Sequence, residues 1–167
     1  MSQISVQVSA DHSEIKLVMS GMISEETEFP NLDNYPAKKL IFDLQELTYI
    51  NSLGIRDWVE WIEPLSAKFK IFMINCPKRL IHQFNAVSGF LPEGARILSF
   101  YAPYFCEKCG FLQDFLFEVG KDVIVKNNIV SVAADIQKFK DCKVENCQLE
   151  LDSNPTKFFK FLRKSPN

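Results

Sequence analysis

The sequence predicts an α/β protein: a sheet covered by helices over the first hundred residues, followed by a small β-rich module with a closing helix. Three observations carry this. In residues 1–100 the order is strand, strand, irregular, strand, helix, strand, helix, strand, an alternation that points to right-handed crossovers between parallel strands. Two strands in that stretch, Leu40–Leu44 and Lys70–Cys76, are nearly continuous apolar runs, as expected of strands buried on both faces. Finally, four of the five cysteines and 8 of the 15 phenylalanines fall in the last 67 of 167 residues. That shift places a domain boundary near residue 100, giving a domain over 1–100 and a module over 101–167.

The elements follow in order. Ile4 to Val8 alternates with period two and reads as a strand. The polar cluster Asp11-His12-Ser13 then turns the chain into Glu14–Met19, so that the two strands form an antiparallel hairpin closed by Ser20-Gly21. Pro30 and Pro36 break the segment from Ser24 to Lys39, leaving room for one short turn around Glu25–Phe29. After the strand Leu40–Leu44, Asn51-Ser52 is an N-cap signal for a helix over Leu53–Leu65. Its stripe is Ile55, Trp58, Val59, Ile62 and Leu65, and Pro64 marks its end or a bend. Lys70–Cys76 is the next strand. Pro77 suits a first helical position, and Leu80, Ile81, Phe84 and Val87 line a second helix that stops at Gly89. Ala95–Phe100 is a last strand.

The run Leu40-Ile41-Phe42-Asp43-Leu44, a short loop, then Asn51-Ser52-Leu53-Gly54 at a helix start resembles the signature of STAS domains, the fold of anti-sigma factor antagonists. Leu17 to Ile23, with Gly21, is similar to that family's second strand. The resemblance covers about residues 3–100, and its specific part is the Asp-Ser-x-Gly region. It implies a mixed sheet with helices on one side and a non-enzymatic role in binding partner proteins, such as an anti-sigma factor or a kinase-like regulator. It also implies that Ser52 is a candidate phosphoacceptor and that Asn51, Ser52, Leu53, Gly54 and Ile55 form a partner-binding surface. A phosphate there would bring about −1.5 to −2 charges to a helix N-terminus, where the helix dipole favours negative charge. Two features depart from the pattern. The residue before the serine is Asn51, which keeps capping geometry without the charge, and the family's first helix is interrupted by Pro30 and Pro36. The plainer reading of Ser52 is a helix cap worth about 1 kcal/mol.

Other conspicuous residues have structural readings. Asp43 follows a buried strand with no acid, histidine or nucleophile arranged beside it, so a hydrogen bond to a neighbouring loop is expected. Trp61 lies off the helical stripe, either along the sheet edge or as an exposed anchor. Cys76 reads as a small buried hydrophobe.

In the C-terminal module, Cys106-Glu107-Lys108-Cys109-Gly110 has the form of a zinc knuckle: two thiolates two residues apart reach one tetrahedral ion, and the glycine permits the tight turn. Cys142 and Cys147 offer a second pair, with four intervening residues. Together they predict a four-cysteine site for structural Zn2+ in a zinc-ribbon-like module, since four thiolates leave no open coordination position. A redox dithiol would place the first cysteine at a helix N-terminus, but a glycine and a strand-like run follow here. Phe111–Val119 and Val123–Val125 read as strands about a Gly120–Asp122 turn, and Gln148–Leu151 as another. Asn154 then caps a short helix with Pro155 in its first turn and basic residues at its end.

Net charge is −2, with 9 basic against 12 acidic residues before position 101 and 10 against 9 after it, so neither part has the basic face that nucleic acid requires. No apolar run approaches the roughly 18 residues of a membrane span. The first residues lack the charged-then-apolar layout of a signal peptide, so a cytoplasmic protein is expected. With two histidines, no phosphate-cradling glycine loop and no nucleophile–base pairing, an enzyme is not expected. Two functions remain: a regulatory protein-binding module switched at Ser52, or a scaffold subunit in which the ribbon docks or oligomerises and Ser52 only caps its helix.

Overall fold

The computed structural model describes residues 5–139 and 146–163. It is a mixed α/β protein. A five-stranded sheet has the order β1-β2-β3-β4-β5, from Ser5–Ala10, Glu14–Ile23, Lys39–Ile50, Lys70–Ile74 and Arg96–Ile97. The first pair is antiparallel and the rest are parallel. The hairpin turn between β1 and β2 is set by Asp11, whose Oδ1 accepts from Ser13 N, Ser13 Oγ and Glu14 N.

Two strands run further than their apolar cores. β2 continues through Ser20-Gly21 to Ile23, and β3 continues past Leu44 to Ile50. The extension includes two register shifts, which end with Met22 opposite Tyr49 and Ile23 opposite Ile50. Glycine at 21 adopts φ +94°, a conformation that suits such an irregularity.

Helix α1 spans Ser52–Lys68 and α2 spans Lys78–Ala86. Pro64 lies inside α1 and the helix passes through it; Phe69 ends the helix by donating its N–H to Leu65 O. Pro77 is the cap of α2 and Lys78 its first helical residue. Alternate residues of β2, β3 and β4 (Leu17, Leu40, Phe42, Met73) are fully buried, and their neighbours are half-buried. Trp58 of α1 packs on Phe42 with ring centroids 5.6 Å apart and donates Nε1–H to Phe90 O, while Phe84 of α2 meets the same Phe90 at 5.5 Å. Both helices therefore share one apolar layer with the sheet.

Strand β6 (Ser99–Phe105) crosses position 100. It follows β5 directly, and its start bonds to the chain just after β4 through Cys76 N to Ser99 O and Tyr101 N to Cys76 O. It forms a second sheet of order β10-β6-β7 with Glu150–Leu151 and Leu112–Glu118, both antiparallel to it. Val123–Lys126 (β8) and Ile129–Val132 (β9) make a separate hairpin. Its turn residues Asn127 and Asn128 have φ of +51° and +62°, as a tight two-residue hairpin loop requires.

The tail is shorter in α-helix than the sequence predicts. Asn154 caps α3 as expected, accepting from Lys157 N, but α3 covers only Pro155–Phe158 before the chain tightens into a 3-10 turn over Phe159–Arg163. That tightening turns Phe158, Phe159, Phe161 and Leu162 inward. Phe161 reaches Phe84 of α2 at 6.3 Å and Phe100 of β6 at 5.1 Å, and Asn85 Nδ2 donates to the carbonyls of Lys157 and Phe158. One contiguous apolar cluster thus runs from Ile15 to Leu162.

Candidate functional site

Two places collect the residues that the sequence singles out. The first is the junction between β3 and α1. Asn51, in extended conformation, caps the helix: its Oδ1 accepts from Gly54 N at 2.7 Å and its carbonyl from Ile55 N at 2.9 Å. The cap is therefore Asn51, and Ser52 is the first helical residue. The same asparagine donates its N–H to Ile23 O at 3.1 Å and Nδ2 to Glu25 Oε2 at 2.7 Å. Glu25 is held below the ordinary carboxylate range, chiefly by that side-chain hydrogen bond.

Gly54 is buried, because the start of the helix presses onto the end of β2. Ser52 and its neighbours instead face outward. Ser52 is exposed, Tyr49 is 53% and Leu53 46% exposed, and Ile55 is half-buried against the core. Of the five predicted surface residues, Ser52 and Leu53 are the accessible ones; Tyr49, near the end of β3, is also exposed. Period two would set Tyr49 on the same face as buried Leu47, but β3 changes register between Leu47 and Tyr49, and Tyr49 is exposed while Ile50 is buried.

Phe29 and Leu32 from the broken segment cover the flank of α1. Trp61 stacks on Phe29 at 4.4 Å and donates Nε1–H to Pro30 O, so it is a half-buried clasp for that loop. A cleft of about 460 Å³ lies beside it, lined by Pro30, Leu32, Pro64 and Leu65. Asp43 bonds the loop after β4, as expected: Asn75 Nδ2 donates to Oδ1 at 2.9 Å and Lys16 Nζ pairs with Oδ2 at 3.0 Å. Burial alone would raise its pKa, but these two partners hold it below the usual value. Cys76 is fully buried, and burial drives its thiol pKa upward, consistent with an inert core residue.

The second place is a thiol cluster. The sulfurs of Cys106, Cys109 and Cys147 all lie within 4.8 Å of one another. Cys106 follows the end of β6, and its backbone closes a tight loop: Gly110 N donates to Cys106 O and Cys106 N to Phe111 O, both at 2.9 Å. Gly110 has φ +71°, the left-handed conformation the loop needs. Cys147 arrives from the other side, next to Asn146 with φ +58° and just before β10, which pairs with Tyr104 and Phe105. Gln137 holds this return by a reciprocal amide pair with Leu149, Nε2 to O at 2.9 Å and N to Oε1 at 3.0 Å.

Cys106 and Cys147 are buried and Cys109 is exposed. Backbone N–H donation from Cys109 is the largest influence on the Cys106 thiol; burial opposes it, and further donation from the Cys147 thiol and Lys108 N–H helps lower its pKa to about 7. Three converging sulfurs, one already biased toward thiolate by backbone donors, are a donor set that could hold a metal ion. Cys142, the fourth expected ligand, lies outside the described residues.

No protein-family description matches the chain, and no curated protein is significantly similar to it. No helix among the described residues is long and apolar enough to cross a membrane.

Proposed function

We propose that this protein is a non-enzymatic regulatory module of the STAS type that binds a partner protein through the β3–α1 junction, with Ser52 as a phosphorylation switch. The observation that carries the reading is the arrangement at that junction. A serine stands exposed at the first position of a 17-residue helix, between exposed Tyr49 and Leu53, on a backbone pinned by Asn51 and Gly54. Exposed Tyr49 and Leu53, flanking Ser52 in the chain, suit a docking surface, and a phosphate there would disrupt it through its charge. Because Asn51 does the capping, Ser52 is free to vary its charge state without unmaking the helix start. The partner would be an anti-sigma factor or kinase-like regulator in the cytoplasm.

The three described thiols, with Cys142 as fourth ligand, would hold a structural Zn2+ in a ribbon-like tail. Its work would be mechanical: clamping the end of β6 to the strand that returns as β10. Elemental analysis should then give about one zinc per chain.

Affinity capture from the native host with wild type, Ser52→Ala and Ser52→Asp tests the switch. The reading expects Ser52→Ala to retain the partner and Ser52→Asp to lose it. Equal binding by both would leave the junction a constitutive scaffold surface. Capture repeated with a chelator would show whether the tail takes part.

A further inference from the structure

Sheet edges expose unpaired backbone N–H and C=O groups, and proteins protect them with charge, proline, bulges or brevity. Among the described residues, the two larger sheets have four edges, and three of them are protected. β5 and β10 are two residues long, with Arg96 and Glu150 on them. β7 carries Asp114 and Glu118. The fourth edge, β1, shows none of these devices among the described residues: its six residues, Ser-Val-Gln-Val-Ser-Ala, include no charge and no proline. Its pairing with β2 runs from Ser5 opposite Ser20 to Ala10 opposite Ile15 without a shift, so no bulge twists it away. Five of its six residues are exposed.

We propose that β1 is an interaction surface for a second copy of this chain. The two β1 strands would pair antiparallel about a two-fold axis normal to the sheet. Such an axis keeps each sheet face continuous, so only residues of the same face oppose one another. Centring it on Gln7 sets Gln7 against its own copy, Ser5 against Ser9, and Val6 against Val8 twice. Val6 already packs on the core and Val8 is 38% exposed, so this register covers the large apolar side chain that the edge leaves out. A neutral strand meets its own copy without like-charge repulsion. The neighbouring Lys16, opposite Ser9 on β2, is already paired with Asp43. The result is a continuous ten-stranded sheet with both helical layers on the same side. A single strand pair is at the small end of interface sizes, so the dimer forms and dissociates with concentration.

Sedimentation of the full chain tests this over about 1 to about 200 µM, the range in which so small an interface exchanges. Wild type should move from 19.2 kDa toward twice that mass. Gln7→Lys and Gln7→Glu, which place like charges across the axis, should each remain monomeric at the highest concentration, and an equimolar mixture of the two should recover the dimer. Wild type that stays monomeric, single variants that dimerise as well as wild type, or a mixture that stays monomeric would each overturn the proposal. Hydrogen exchange on the unmodified protein gives a reading independent of any variant's folding. The amides among residues 5–10 that point away from β2 should gain protection as concentration rises, and unchanged protection at these amides would also overturn it.

Discussion

A β-carbon on Gly54 would stand 2.6 Å from the carbonyl oxygen of Ile23 and 2.8 Å from its carbon. That carbonyl also accepts the N–H of Asn51, so the first turn of α1 is drawn onto the end of β2 as closely as a bare Cα permits. Both atoms are backbone, and neither can swing aside.

Gly54→Ala should therefore lose about 1–3 kcal/mol of folding stability, the range for forcing atoms into a packed site. Ser52→Ala, two residues away on the exposed side, should stay within about 0.5 kcal/mol of wild type. Urea denaturation compares the two. Equal losses would mean that the helix start can move away from β2.

Asn51 has separate jobs for its two amide atoms. Asn51→Ala removes the cap and should cost about 1 kcal/mol. Asn51→Asp keeps an acceptor for Gly54 N but sets a carboxylate where Nδ2 now donates to Glu25. The Glu25 pKa, now depressed, should rise in that variant; an NMR titration that leaves it depressed would show that some other group lowers it.

The tail is built into the same core as α2. Phe161 is fully buried and touches Phe84, Phe100 and Phe158. Phe161→Ala should cost about 3–5 kcal/mol, as for other large-to-small core changes. Unfolding should remain one transition shared by the fluorescence of Trp58 and Trp61 and by overall helicity. A separate early transition, with tryptophan fluorescence unaffected, would mean that the tail melts alone.

The thiol cluster predicts a pH dependence in the reduced, metal-free protein. The Cys106 pKa is lowered to about 7 from an ordinary value of 9.0. A depressed pKa means that the folded state holds fewer protons, so this group adds stability as pH rises from about 7 and adds its full share above the unfolded value of 9.0. The contribution disappears as pH falls through the folded value. Thermal melts between about pH 6 and about pH 9, compared with Cys106→Ala, should show that rise in wild type alone. Parallel curves would place the thiolate elsewhere.

Much of the fold was legible in the sequence because it rests on short-range rules. Apolar runs marked β3 and β4, the Asn51-Ser52 pair marked the start of α1, and Asp11 marked the hairpin turn. The Cys-x-x-Cys-Gly loop was legible because its geometry closes between Cys106 and Gly110. Pro64 was misleading as an end signal, since packing of Trp58, Ile62 and Leu65 carries α1 past it.

What only the tertiary structure decided depends on partners distant in the chain. The extension of β2 and β3 comes from their pairing with each other across two register shifts, which no local pattern encodes. Ser52 and Asn51 are both good capping residues by type, and the division of labour between them is set by where the Ile23 carbonyl and Glu25 lie. Cys147 joins Cys106 and Cys109 because β10, far along the chain, pairs back onto β6. Residue type and spacing state which groups are able to meet; the packing of β2 under α1 and of β10 beside β6 determines which of them do.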